Sequence, residues 1–217
     1  MSGDAAIVRA PRLMVIVDVA HAAEHRNAIA AALVGGVDAV QLRDRRAAGG
    51  ALLEAAHALR RLTREHGATL LVNDRIDVAV AASADGVHLP VASFPIATAR
   101  RLLGPAAWIG RSTHAASEAA TAAGDGADYV VLGPVFATPS KEAFGAPLGI
   151  DALRAAHAAC PLVAIGGVTA SHVPELVAAG AHGVAVIRAI LDAPDPADAA
   201  RMLRAALSAT TSAPGTR

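Results

Sequence analysis

The chain has 217 residues, 54% of them hydrophobic and only 2% aromatic, with 19 Lys+Arg balanced by 19 Asp+Glu. That length suffices to bury a sizeable core, the zero net charge gives no electrostatic footprint for nucleic acid or an anionic membrane, and so few rings argue against a base-stacking surface. A single cysteine, Cys160, excludes an intrachain disulfide and a multi-thiolate zinc site, and its place before an apolar run predicts a packed, inert thiol.

In chain order, a lead-in of residues 1–12 has no apolar stretch of signal-peptide length after a basic start. Short Val/Ile/Leu-rich runs follow at 13–17, 39–42, 69–72, 86–89, 107–109, 129–132, 162–165 and 183–187. Between them lie Ala/Leu/Arg/Glu-rich segments with helical spacing, such as Leu52, Ala55, Ala56, Leu59 and Leu62. Continuous apolar runs fit strands buried on both faces, and their alternation with helices calls for parallel strands joined by crossovers. Eight alternations in this length predict closure into one α/β (β/α)8 barrel over residues 13–209, in preference to an open doubly wound sheet. The Ser/Thr/Pro/Gly-rich segment 210–217 reads as a flexible tail. No run reaches the length of a membrane span, so the expectation is a cytoplasmic protein, with homo-oligomerisation left open.

Four junctions repeat a turn theme: GGVDAV, ASADGV, GDGADYV and AGAHGVAV. Each places glycine or small residues after a helix and before a strand, where a left-handed C-cap is useful, so the theme reads as structural.

Function in such a barrel collects where strands end. The second run leads into Gln41, Arg43 and Arg45, with alternation placing the first two on one side and Arg45 with them if the chain stays extended. The third ends in Asn73 and Asp74, which could also cap the following helix. The fifth reaches Arg111, Ser112 and His114, and the sixth delivers Thr138, Ser140 and Lys141, a hydroxyl and lysine cluster suited to an anion. Gly166 and Gly167 after the seventh run, with the helix expected to open near Ile187 and Arg188 after the eighth, could form a phosphate cradle. His88 and His114 are expected near the mouth, without the spacing of a zinc site.

The segments QLRD, LVNDRIDVAVAASADGVHL, GADYVVLGPVFATPSK, VAIGGVTASHV and AGAHGVAVIRAI recur in an order that resembles the thiamine phosphate synthases and the related thiazole tautomerases, over residues 13–207. The synthase reaction joins hydroxymethylpyrimidine diphosphate to thiazole phosphate and releases pyrophosphate. The resemblance implies that Gln41, Arg43, Arg45, Asn73 and Lys141 hold the pyrimidine diphosphate, that Asp74 ligates Mg2+, and that Ser112 lies near the reacting centre. Arg43, Ser112 and Lys141 would carry catalysis. Thr138 and Ser140 would meet the thiazole side, and Gly167 with the Ile187–Arg188 backbone would hold its phosphate.

The chain departs from the synthase pattern at Ser93, where a second acidic magnesium ligand is usual, at Arg45, usually lysine, and at Arg188, usually serine. HLPVASFP and GRSTH lean toward the tautomerase, yet Pro134 stands where that branch has its proposed proton-carrying histidine. The synthase is the expectation retained, with a thiazole tautomerase and a noncatalytic phosphate-binding paralogue as alternatives.

Overall fold

Eight strands, β1 (Leu13–Val17), β2 (Ala39–Leu42), β3 (Thr69–Asn73), β4 (Gly86–Leu89), β5 (Trp108–Thr113), β6 (Tyr129–Leu132), β7 (Leu162–Ile165) and β8 (Gly183–Val186), pair in parallel and in sequence order, and β8 returns to β1. This closed barrel is seen in a computed structural model that describes residues 8–138, 146–156 and 160–209. Eight apolar runs therefore become eight strands, because closure buries both faces of each and leaves no unpaired edge.

Alternation divides the side chains into two layers. Met14, Ile16, Ala39, Leu71, Tyr129, Val131, Val163 and Ala185 fill the barrel interior. Their neighbours, such as Val15, Val40, Leu70, Val87, Ile109, Val130, Ala164 and Val184, face the helices. Helix α3 (Gly49–Glu65), which follows α1 (Val19–Glu24) and α2 (Arg26–Val34), buries Leu52, Ala55, Ala56, Leu59 and Leu62, the stripe expected from its spacing. The ring continues through α4 (Ile76–Ala81), α5 (Ile96–Leu103), α6 (Ala116–Gly124), α7 (Gly149–Ala155), α8 (Val173–Ala178), α9 (Arg188–Leu191) and α10 (Pro196–Ala209).

The repeated junctions have a common construction. Gly36, Ser83, Gly126 and Gly180 each adopt positive φ, between 51° and 107°. The residue after each closes a Schellman turn: Val37, Ala84, Ala127 and Ala181 donate to Ala32, Ala79, Ala122 and Leu176 at 2.9–3.1 Å. Next comes Asp38, Asp85, Asp128 or His182, whose backbone N–H donates to a carbonyl at the start of the preceding strand, that of the first residue at Leu13 and Leu162 and of the second at Leu70 and Ile109. The three carboxylates also accept from the N–H groups of Leu13, Leu70 and Ile109, and pair with Arg204, Arg60 and Arg100 at 2.6, 2.6 and 2.7 Å. These junctions staple odd strands to even strands at the end of the barrel opposite the strand C-termini.

Two strands run longer than the apolar pattern indicates. β5 continues to Thr113 instead of stopping at residue 109, because Arg111 and Ser112 keep the ladder to Val130 and Val131. β3 likewise gains Asn73, paired in register with His88. β8 is shorter and ends at Val186, since the backbone turns at Ile187 (φ −123°, ψ −83°) to open α9.

Candidate active site

The C-terminal strand ends gather most of the expected site residues, beginning with β2. Gln41 lies below the mouth, 1% exposed, its Nε2 directed to Met14 Sδ at 3.7 Å. Arg43 stands just past the strand and is exposed, its N–H extending the β1 ladder to Val17 O at 2.7 Å. The side chain is nonetheless partly covered by its neighbours, and that desolvation, and then the charge of Arg45, lower the proton affinity of its guanidinium. The extended conformation expected to carry Arg45 onto the same side does not continue. A bend starts at residue 45, organised by Asp44, whose Oδ1 accepts from the N–H groups of Arg46 and Ala47 at 2.9 and 3.0 Å. Those bonds hold the Asp44 carboxyl below its usual range.

The β3 end decides between two readings of Asp74. Arg75, not Asp74, precedes α4, and no side chain caps that helix. Asp74 is exposed, takes positive φ (65°), and its Oδ1 accepts from Ser93 Oγ at 2.5 Å. Few non-glycine residues take that region, and aspartate is among those that enter it most readily. Ser93 is thus brought to Asp74 from the β4–α5 loop. Arg111 holds that loop through bonds to Phe94 O at 3.0 Å and Val91 O at 3.2 Å.

The barrel interior beneath Ser112 carries a polar chain that the strand pattern did not reveal. His88, expected at the mouth, is instead 3% exposed. Its Nε2 lies 2.8 Å from Ser112 Oγ and its Nδ1 3.3 Å from Tyr129 Oη. Burial, and next the charges of Arg43 and Arg111, push His88 down to about 3, so the imidazole is neutral at ordinary pH. Burial likewise raises the Tyr129 phenol, which keeps its proton. The available signal was Tyr129 itself, the one tyrosine in the chain, at a strand position facing inward.

His114 is engaged structurally: Nδ1 donates to Gly133 O at 2.6 Å, and its backbone N–H donates to Glu118 Oε2 at 2.7 Å. On the far side of the mouth, Arg188 Nη2 donates to Thr138 Oγ1 at 3.3 Å, which joins the strand-6 loop to the β8–α9 turn. Ser140 and Lys141 lie outside the described residues. Gly166 and Gly167 have φ of 98° and 63°. A Cβ on Gly166 would meet Pro134 Cβ at 2.5 Å, and one on Gly167 would meet Ala137 O at 2.5 Å. These glycines are therefore required for packing against the β6 loop, independently of any phosphate. His172 packs against the turn, with Nδ1 3.1 Å from Gly167 O and its ring stacked on Phe136 at 4.0 Å between centroids.

This arrangement can be compared with known proteins. The family model for thiamine monophosphate synthase matches residues 13–190, most of the barrel. The chain belongs to that family. It is 46% identical over 203 residues to the thiamine-phosphate synthase of Chloroflexus aurantiacus, covering 92% of this chain and 94% of the relative. It is 49% identical over 187 residues to the thiamine-phosphate synthase of Methanoculleus marisnigri, covering 85% and 89%. Among solved structures, thiamine phosphate pyrophosphorylase from Pyrococcus furiosus superposes with a TM-score of 0.81 at 35% identity, over 92% of this chain and 96% of that one. Family members of this kind are transferases of thiamine biosynthesis, and of the three readings left by the sequence the similarity supports the synthase.

Among the described residues no group of three or more His, Cys, Asp or Glu side chains could hold a metal ion. Asp74 and Ser93 nevertheless present hard oxygen atoms in contact at an exposed strand end. One carboxylate plus substrate phosphates is a common way to hold Mg2+, so the residues fit the ion. No helix among the described residues is long and apolar enough to cross a membrane.

Proposed function

We propose that the chain joins hydroxymethylpyrimidine diphosphate to thiazole phosphate at the C-terminal mouth of the barrel, giving thiamine phosphate and pyrophosphate. The observation that carries this reading is the family match over residues 13–190, combined with cationic and hydroxyl groups at the strand ends. In the reaction the pyrimidine methylene–oxygen bond breaks and the electron pair leaves with the diphosphate. The thiazole nitrogen then supplies its lone pair to the resulting cation, forming the new C–N bond. No general base is required, so the protein acts by positioning and by placing charge.

Arg43 and Lys141 supply positive charge to the leaving diphosphate, with Asn73 beside it, and Arg45 adds to that charge from the bend, near enough for its charge to act on Arg43. Asp74, supported by Ser93, would hold Mg2+, and the ion when bound neutralises diphosphate charge. Gln41, being buried, bounds the pyrimidine pocket from below and meets the ring only if its amide turns from Met14. Ser112 projects from the interior toward the reacting centre. Thr138 and Ser140 take the thiazole side, and its phosphate sits against Gly167 and the Ile187–Arg188 backbone, where the first N–H groups of α9 have no intrahelical acceptor. Arg188, already bonded to Thr138, adds a cation to that phosphate subsite.

Mass spectrometry of the products tests the reading. Purified protein supplied with both substrates and Mg2+ should accumulate thiamine phosphate, and failure to form it with folded protein would reject the assignment.

A further inference from the structure

Three successive strands contribute His88 (β4), Ser112 (β5) and Tyr129 (β6) to one hydrogen-bonded chain inside the barrel. Tyr129 starts low on its strand and lies in register with Gly110. A Cβ at Gly110 would fall 2.1 Å from Tyr129 Cζ and 2.4 Å from its Oη. Glycine at that position is therefore what allows the phenol to lie across the barrel interior and reach His88. The two rings stand 5.8 Å apart and tilted by 30°.

We propose that Tyr129 fixes the tautomer of His88, and through it orients the Ser112 hydroxyl as a hydrogen-bond donor to substrate, so that Tyr129 and His88 are positioning residues for the reaction. A buried hydroxyl left without an acceptor costs free energy, and the partner of Tyr129 Oη among the described residues is His88 Nδ1. The phenol hydrogen therefore goes to Nδ1. A neutral imidazole carries a single N–H, which must then be on Nε2. That N–H donates to Ser112 Oγ at 2.8 Å. With its oxygen already accepting, Ser112 keeps its own hydrogen for an acceptor outside the chain. The opposite tautomer would leave the phenol hydrogen stranded and would take the Ser112 hydrogen inward.

This inference deepens the proposed function and rests on Ser112 meeting substrate. A donor is what a departing diphosphate oxygen needs as negative charge develops on it, whereas a serine polarised as a base would have no proton to remove. Hydrogen bonding along a buried chain also stiffens the hydroxyl, which lowers the reorganisation required during bond cleavage.

Two measurements test it separately. In protein labelled with 15N-histidine, long-range 15N–1H spectra should show His88 with hydrogen on Nε2, and Tyr129→Phe should mix in the Nδ1–H form. A parent spectrum with hydrogen on Nδ1 overturns the proposal whether or not the variant folds. In kinetics, Tyr129→Phe should lower kcat about tenfold, the scale of one hydrogen bond, with KM little changed. Ser112→Ala should lower kcat at least as much, and adding Tyr129→Phe to it should cost nothing further. Full additivity of the two losses would contradict action through Ser112. Undiminished turnover in Ser112→Ala would instead remove Ser112 from the proposed reaction, while the spectrum still decides the Tyr129–His88 contact.

Discussion

Replacing Gly167 by alanine separates packing from ligand binding at the candidate phosphate turn. The residue has φ of 63°, a left-handed conformation that costs an L-residue about 1–2 kcal/mol. Its new Cβ would lie 2.5 Å from Ala137 O and 2.8 Å from Phe136 Cβ. Neither neighbour is the free end of a flexible side chain, so the loop must shift, and overpacking of this kind costs roughly 1–3 kcal/mol. Together the effects predict about 2–5 kcal/mol of destabilisation, a fall in melting temperature on the order of 10 °C for a chain of this size. Gly124→Ala is the control, because it ends α6 with no atom within 4 Å of the added Cβ. It should leave the melting temperature unchanged or slightly raised. Differential scanning calorimetry without any ligand reads both. A Gly167→Ala protein melting within about 2 °C of the parent would refute the reasoning. The expected result also means that lost phosphate affinity in a Gly167 variant would not by itself establish a phosphate contact.

Further outcomes concern the metal and pH. Asp74→Asn should weaken Mn2+ binding measured by electron paramagnetic resonance with inorganic pyrophosphate present. Ser93→Asp should strengthen it, because Ser93 Oγ already touches Asp74 Oδ1. Unchanged affinity in both variants would remove Asp74 from the metal site. His88 stays neutral in the folded state down to about 3, against an ordinary value of 6.5. The unfolded chain therefore binds the extra proton between those values, and stability present above about pH 6.5 is lost as pH falls. Urea titrations near pH 7 and pH 5 should show the parent losing about 2 kcal/mol more than a folded His88→Asn variant. Equal losses in the two proteins would contradict the buried neutral imidazole.

The architecture was largely legible because barrel closure rewards a simple pattern. Each apolar run became a strand, and the small-residue junctions are left-handed turns as their composition suggested. Less visible was the second task of those junctions. The carboxylates of Asp38, Asp85 and Asp128 bond to strands whose starting residues are far away in sequence, and no local signal encodes such a bond. Site residues divide along the same line. Ser93 falls against Asp74 and Thr138 against Arg188 because strand ends converge, which follows from topology. Alternation carried Gln41 to the inner face but was silent on depth, and it failed for Arg45 once Asp44 drew the backbone into a bend. The Tyr129–His88–Ser112 chain required the absence of a side chain at Gly110, a space visible only when strands are set side by side.

Pyrophosphate release tests the central claim most directly. Purified protein is given hydroxymethylpyrimidine diphosphate alone, thiazole phosphate alone, and both together, each with and without Mg2+, while pyrophosphate and the thiazole tautomer are followed. Rapid pyrophosphate release is expected only with both substrates and Mg2+, matched mole for mole by thiamine phosphate. Metal-free aromatisation of the thiazole phosphate without pyrophosphate release under any condition would contradict it.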